Sequence, residues 1–216
     1  MSLVPAFLLN SAKTHNFCHI GFLFQSIKQQ NDIKPTILQL ELVEQCKSND
    51  RQAQLRLYRK YCEGMFCVAM RFLKNEDDAE DVLQESFIKA FQRIEQFKGE
   101  VTFGAWLKRI VVNGCIDFLK SKKQRLIELD ESYIYVAEEE DWNVNKGIDL
   151  EVVKRAIEQL PDKYRYVVQL FLMEGYDHSE ISEILHISET ASRTRLLRGK
   201  GKLKELLNEL SYGTGS

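Results

Sequence analysis

Residues 177–198 read Asp177-His178-Ser179-Glu180-Ile181-Ser182-Glu183-Ile184-Leu185-His186-Ile187-Ser188-Glu189-Thr190-Ala191-Ser192-Arg193-Thr194-Arg195-Leu196-Leu197-Arg198. Asp177 with Glu180 three residues on is the pattern of a reciprocal N-cap, and predicts a short helix over Ser179–Leu185. His186-Ile187-Ser188 is the turn, and Ser188 caps a last helix running from Glu189 past Leu203 to about Leu210. A short helix, a tight turn and a longer helix are the layout of a helix-turn-helix, whose second helix enters the major groove. Ile181, Ile184, Leu185, Ile187 and Leu196 are expected inside. Arg193, Thr194, Leu197 and Arg198 are left facing outward, where arginine can bind a guanine edge and Thr or Leu can touch a thymine methyl.

The segments just before this stretch are helical too. Val152, Val153, Ala156, Ile157 and Leu160 form one face; Pro161 suits the first position of the next helix, where its missing N–H costs nothing. That helix carries Val167, Val168, Leu170 and Phe171, and Gly175 ends it. A helical unit over 150–211, roughly 60 residues long, is near the lower size limit for independent folding.

A second helical region spans 37–123. Leu55, Tyr58, Cys62, Met65, Phe66, Ala69, Phe72 and Leu73 recur in steps of three and four. Asn75 caps the next helix, and Glu76, Asp77, Asp78, Glu80 and Asp81 suit its positive end. Its stripe is Ala79, Val82, Leu83, Ser86, Phe87, Ala90, Phe91 and Ile94. Lys98-Gly99-Glu100 breaks the pattern, after which Phe103, Trp106, Leu107, Ile110, Val111, Gly114, Cys115, Phe118 and Leu119 form a third stripe. Three such stripes can close a bundle core. The fold class expected is therefore all-α, with two small helical domains joined by a linker.

Charge marks the joint. Residues 126–151 hold nine acids (Glu128, Asp130, Glu131, Glu138, Glu139, Glu140, Asp141, Asp149, Glu151) against Lys146 alone, so 124–149 reads as an acidic linker, with Ile134-Tyr135-Val136 briefly extended. On either side lie basic helices. Residues 101–125 carry six cations (Lys108, Arg109, Lys120, Lys122, Lys123, Arg125) and one acid, Asp117; residues 193–204 carry six (Arg193, Arg195, Arg198, Lys200, Lys202, Lys204) and no acid. Such density can displace counterions from phosphates or simply be a solvated face. Phe97, Phe103 and Trp106 beside Lys108 and Arg109 suit the holding of unstacked bases, although periodicity alone reads Phe103 and Trp106 as core.

Composition bounds the rest. Among 216 residues, 44% hydrophobic and 29% charged, there are 11 Gly and 3 Pro, few for an all-β fold. The five cysteines make no CxxC pair, and free thiols in a reducing cytoplasm are expected. No apolar run reaches the ~20 residues of a membrane span, so no direct membrane insertion is expected. No Walker loop, GxGxxG, HExxH or GxSxG occurs, so no cofactor and no catalytic residue is assigned. His15, Cys18 and His19 are too little for a metal site. Residues 1–36, with the apolar patch Val4–Leu9, read as a disordered or non-native extension.

The stretch Asp78-Ala79-Glu80-Asp81-Val82-Leu83-Gln84-Glu85-Ser86-Phe87-Ile88-Lys89-Ala90-Phe91 resembles region 2.2 of bacterial sigma-70-family factors. Phe103-Gly104-Ala105-Trp106-Leu107-Lys108-Arg109-Ile110-Val111-Val112-Asn113-Gly114-Cys115-Ile116-Asp117-Phe118-Leu119 resembles regions 2.3–2.4. Leu160-Pro161-Asp162-Lys163-Tyr164-Arg165 and Glu180–Lys200 resemble region 4. With only regions 2 and 4, joined by a short linker, the chain is similar to the extracytoplasmic-function (ECF) group. The resemblance implies a dissociable promoter-recognition subunit of RNA polymerase, cytoplasmic and not itself an enzyme. It implies as partners the core polymerase (β′ coiled coil and β flap), promoter DNA and an anti-sigma factor. Asp81, Gln84, Glu85, Phe87 and Phe91 would meet the β′ coiled coil, though some of these must also serve the bundle core.

By the same resemblance Phe103, Trp106, Arg109, Asn113, Asp117, Lys120, Lys122 and Lys123 would engage the −10 element. The loop Phe97–Phe103 would pocket an extruded base and so support melting without ATP. Asp117 departs from the usual neutral or basic residue. Arg193, Thr194, Leu197, Arg198 and Lys200 would engage the −35 element, with Lys202 toward the backbone. Thr190-Ala191-Ser192 departs from the common Gly-Thr-Val; Ser192 is expected to weaken the small core, Ala191 to lose a phosphate contact, and the promoter read to be altered. The acidic linker is expected to thread a basic polymerase channel and to shield the basic helices in the free protein. Two other readings stand beside this one. An autonomous dimeric helix-turn-helix regulator would need a dimerisation surface, and a nuclease would hold metal on Glu76, Asp77, Asp78 and Asp81.

Overall fold

The computed structural model describes residues 37–123 and 150–212. Their regular structure is helical, with no strand among the described residues, and they fall into two units, one within Met1–Ile127 and one within Glu128–Ser216. The N-terminal 1–36, with Val4–Leu9 and His15, Cys18 and His19, lies outside the described residues, as does the acidic stretch 124–149 with Ile134-Tyr135-Val136.

The first unit holds α1 (Ile37–Lys47), α2 (Arg51–Leu73), α3 (Glu76–Gln92), one tight turn (Ile94–Gln96) and α4 (Phe103–Lys123). Asp50 caps α2 by accepting from Gln52 and Ala53 N–H, and Lys74 closes it in a left-handed conformation. Asn75 caps α3, its Oδ1 accepting from Asp78 N–H at 2.8 Å as its sequence position predicts. The helices α2, α3 and α4 pack on one another and α1 lies on α2, where Gln39 Nε2 donates to the Tyr61 hydroxyl at 3.0 Å. Leu57, Phe87, Phe103, Leu107, Val111, Val112 and Cys115 are wholly buried. Gly114 marks the closest approach of α3 and α4, because a Cβ there would sit 3.1 Å from both Ser86 Oγ and Val82 Cγ1.

Two details differ from the sequence reading. The helix α1 is a separate element that no apolar stripe signals. In α2 the deepest residues include Leu57, Tyr61 and Val68, whereas Leu55, Cys62 and Phe66 are only half-buried. Contact with three neighbouring helices gives α2 a wide buried arc, and the most apolar line of residues is not its centre.

The second unit holds α5 (Leu150–Gln159), α6 (Asp162–Val168), a widened turn continuing it (Gln169–Met173), α7 (His178–Leu185) and α8 (Glu189–Tyr212). Pro161 stands one residue earlier than expected, as the N-cap of α6 rather than its first residue. Gly175, at φ +77°, ends the widened turn, and Tyr176 N–H donates to Leu170 C=O at 3.0 Å. Asp177 and Glu180 form the reciprocal cap, each side chain accepting from the other's N–H at 2.8 and 3.0 Å. The helix they start begins at His178, one residue before the expected Ser179. His186 closes α7 in the left-handed region, and Ser188 Oγ accepts from Ala191 N–H at 3.1 Å. The helices α5, α6 and α7 all pack on α8. Gly199 admits α6 at its closest, since a Cβ there would lie 2.6 Å from Val168 Cγ2.

Candidate nucleic-acid interface

At ~100° per residue, Trp106, Arg109, Asn113, Asp117 and Lys120 fall within about 80° of arc on α4. That stripe faces away from the buried side made by Phe103, Leu107, Val111, Val112, Cys115 and Ile116. Asp117 is exposed and the other four are half-buried. The Nζ of Lys120 is sheltered, with no hydrogen-bond partner among the described residues. Trp106 is anchored rather than free to swing, its ring 5.6 Å from Phe97 and 5.5 Å from Phe103, while Phe103 lies 5.5 Å from Tyr61. Thr102 Oγ1 accepts from Ala105 N–H at 3.2 Å and starts the helix beneath this cluster. The result is a rigid aromatic platform with an amide, a carboxylate and cations in line beyond it.

Three expected members of the set stand apart. Phe103 is 0% exposed, so it supports Trp106 from behind and offers no face of its own. Lys122 lies on the other side of α4, its Nζ 2.7 Å from Asp78 Oδ2 in the acidic first turn of α3 and 4.9 Å from the Phe118 ring centre. The i+2 step from Lys120 rotates it out of the stripe. Lys123 is described only by its place at the end of α4.

On α3, Asp81 and Glu85 are exposed and Gln84 half-buried, a polar line beside the core stripe. Glu85 pairs with Lys89 at 3.4 Å. Phe91 is half-buried, with its ring 6.0 Å from that of Phe87. Phe87 itself is 0% exposed and packs on Tyr58, so it offers no surface of its own.

On α8 the buried line is Ser192, Leu196, Gly199, Leu203 and Leu207. Arg193, Thr194, Leu197 and Arg198 lie on the opposite side, Arg193 exposed and the other three half-buried. Glu189 Oε2 accepts from Arg193 at 3.2 Å, and Thr194 Oγ1 donates to Thr190 C=O at 2.9 Å. Lys200, seven residues after Arg193 and so on nearly the same side, is half-buried, its Nζ 5.7 Å from the Phe171 ring centre. Leu185 and Ile187, expected inside, are half-buried at the rim.

A family model described as Sigma-70 region 2 matches residues 57–125, and one described as Sigma-70, region 4 matches residues 150–203. The chain is 31% identical over 180 residues to the ECF RNA polymerase sigma factor SigW of Bacillus subtilis (strain 168), covering 78% of this chain and 96% of that one. The chain belongs to the ECF sigma-factor family. It is also 28% identical over 173 residues to the ECF RNA polymerase sigma factor SigM of Mycobacterium tuberculosis, covering 80% and 86% of the two chains. A solved complex of the sigma factor RpoE with the anti-sigma factor NepR from Bartonella quintana is a looser likeness, with 20% identity, a TM-score of 0.49, and coverage of 71% of this chain and 95% of that one.

As an ECF sigma factor the protein is a promoter-recognising subunit of RNA polymerase, and its matched regions fall on the helices just described. Region 2 takes in α2 from Leu57 onward, α3 and α4, and region 4 takes in α5, α6, α7 and α8 through Leu203. The sigma factor's α8 also carries Thr190, exposed on the side of Thr194 and Leu197 and absent from the expected contacts. The four- and seven-residue steps from Thr190 are the signal that could have found it. No helix among the described residues is long and apolar enough to cross a membrane, and none of their acids, histidines or cysteines gather into a metal-holding group. The buried Cys46 thiol is pushed up to about 12 by desolvation, with Asp50 adding to it, which keeps it inert.

Two findings change the account of α8. Ser192 is 0% exposed, but its hydroxyl is satisfied by His178 Nδ1 at 2.9 Å. The weakening expected from a serine in this core is therefore offset by a hydrogen bond. His178 belongs to the packing behind α8, a contact that no sequence motif indicates.

Proposed function

We propose that this sigma factor is a dissociable, non-catalytic subunit that works in the cytoplasm, with a region 2 domain over 37–123 and a region 4 domain over 150–211. Asp81, Gln84, Glu85 and Phe91 on α3 meet the β′ coiled coil of the core polymerase, with Phe87 packed behind them. The region 4 unit meets the β flap. Trp106, Arg109, Asn113, Asp117 and Lys120 engage the −10 element, Phe103 fixes Trp106, and Lys122 and Lys123 neutralise phosphate at the edge once Lys122 exchanges Asp78 for DNA. Arg193, Thr194, Leu197 and Arg198 engage the −35 element, while Lys200 reaches the backbone from its place over Phe171.

Melting on this reading needs no ATP. A base that leaves the stack is received by the aromatic platform and by polar groups one and two turns further along α4, and each stacking contact offsets about 1–3 kcal/mol of unpairing. An anti-sigma factor competes with the polymerase for the same α3 and α4 surfaces. The linker at 124–149 crosses a basic channel and, in the free chain, shields the cationic helices. Neutralising Glu138–Asp141 should then raise the affinity of the free chain for DNA; unchanged affinity would discard the shielding role.

The observation that carries this reading is the pair of family matches in chain order, each falling on a unit that turns a cation-bearing helix outward. The test is in vitro transcription from genomic promoter fragments with core polymerase and the full chain. Initiation at discrete sites that needs both components supports it. Tight duplex binding by the chain alone, with no initiation, would favour an autonomous regulator.

A further inference from the structure

The buried side of α8 and the edge where it meets the proposed DNA contacts carry a polar cluster that helix-turn-helix packing does not require. Ser192 lies at the centre of that side, wholly buried, and fourteen residues separate it from its partner His178 at the start of α7. A buried hydroxyl without a partner is costly, so this bond is a fixed feature of the packed unit. The His178 ring is itself held, stacked on Phe171 at 5.0 Å between centres and 27° between planes. Lys200 Nζ lies 5.7 Å from the centre of the same Phe171 ring.

These contacts grip one helix at two places. Ser192 and Lys200 are separated by about 12 Å along α8, and both are tied to the Phe171–His178 pair. The Ser192–His178 bond is the directional one of the two, and it adds a fixed orientation to the packing of α5, α6 and α7 on α8. At the ~5–6 Å outer radius of a helix, a roll of about 10° moves a side-chain tip by about 1 Å. That is enough to spoil a bidentate contact to a base edge. Arg193 adjoins Ser192 in sequence, and Thr194 and Leu197 follow within the next turn and a half.

We propose that His178 is a positioning residue for promoter reading, holding Ser192 and thereby fixing the roll at which α8 presents Arg193, Thr194 and Leu197 to the upstream element. The proposal rests on the assignment of α8 to the −35 element. It also explains how a chain with Ser192 where the family commonly has valine keeps a defined recognition helix: the polar pair replaces an apolar contact and adds direction to it. The ring can serve in either tautomer, since Nδ1 and the hydroxyl can each donate or accept.

The test uses the full chain in holoenzyme with core polymerase. A promoter from which the wild-type holoenzyme initiates is randomised across its upstream element in one library and its downstream element in another. His178→Phe keeps the ring stack and removes Nδ1; His178→Asn returns a polar atom near the Nδ1 position; Ser192→Ala removes the hydroxyl. Expected is a flattening of upstream discrimination by about tenfold in H178F, most of it recovered in H178N, with H178F/S192A no worse than H178F alone. Downstream discrimination stays at the wild-type level.

An H178F holoenzyme with lowered thermal stability but the wild-type upstream profile would overturn the proposal and leave the pair a packing feature. Loss of upstream and downstream discrimination together would also overturn it, as a general defect. If H178F does not fold, S192A decides alone, its unchanged upstream profile being the contrary result. A wild-type holoenzyme indifferent to the upstream element would sink the assignment of α8 first, and this is distinguishable because no variant is then needed to see it.

Discussion

The two units of this sigma factor bear cation-bearing helices of similar length, α4 and α8, on very different supports. In the first, α4 lies against two long helices, and its stripe is backed by Phe103, whose ring meets those of Phe97 and Tyr61. In the second, α8 rests on helices of 10, 7 and 8 residues. Their ends are fixed one by one, by the Asp177–Glu180 cap, the Ser188 cap, Gly175 and the left-handed His186. The first unit draws its order from apolar packing, which is redundant. The second has the smaller apolar core and leans more on individual hydrogen bonds and backbone turns, which are not redundant. Equal chemical damage should therefore be tolerated in the first and felt in the second.

The largest effect should come from equal truncations of the two cores. Leu107→Ala and Ile181→Ala each remove a wholly buried side chain, at a cost of about 2–5 kcal/mol. Hydrogen exchange on the full chain should show the first unit still protected in L107A and the second unit unfolded in I181A; protection lost from the first unit and kept in the second would break the comparison. Next come the glycines. Gly199→Ala drives a Cβ into Val168 and should destabilise the second unit by about 1–3 kcal/mol. Gly114→Ala meets looser contacts at 3.1 Å, and the ~1 kcal/mol gain in helix propensity should leave the first unit near its original stability.

The caps give a smaller test. Asp177→Ala and Asn75→Ala should each cost about 1 kcal/mol locally, yet only D177A should speed exchange throughout its unit. Smallest is the effect of pH. Burial foremost, then Arg193, with Lys200 a lesser contribution, holds His178 below its ordinary 6.5, against the opposing pull of Asp177 and Glu189. The folded unit then binds this proton less readily than the unfolded chain, so the contribution is intact above pH 6.5 and lost as pH falls below it. An NMR titration of the His178 ring should give a midpoint under 6.5, and H178F should remove that share of the acid sensitivity; a midpoint at or above 6.5 would contradict the burial argument.

Much of this was legible in the chain. Asn75, Asp177 with Glu180, and Ser188 cap helices because their chemistry is local, and the α3 and α4 stripes follow from a period that needs only one buried side. The α2 face was less legible, because a helix enclosed by three others buries more than one stripe. Phe87 and Phe103 were nominated as contacts through resemblance and proved to be core, since aromatic residues on a bundle helix serve whichever side is dry. The Lys122–Asp78 pair and the His178–Ser192 bond join residues 44 and 14 positions apart, and no local pattern encodes such meetings. They depend on how helices pack.

On the proposed function, α4 opens DNA while α8 only positions it. Permanganate reactivity of unpaired thymines in the downstream element, measured on holoenzyme–promoter complexes without ATP, separates the two functions. Wild-type complexes should be reactive. Trp106→Ala should remain bound and unreactive, and Arg193→Ala should bind less but be fully reactive in the fraction that binds. Reactivity in W106A equal to wild type, or bound R193A complexes that stay closed, would contradict the account.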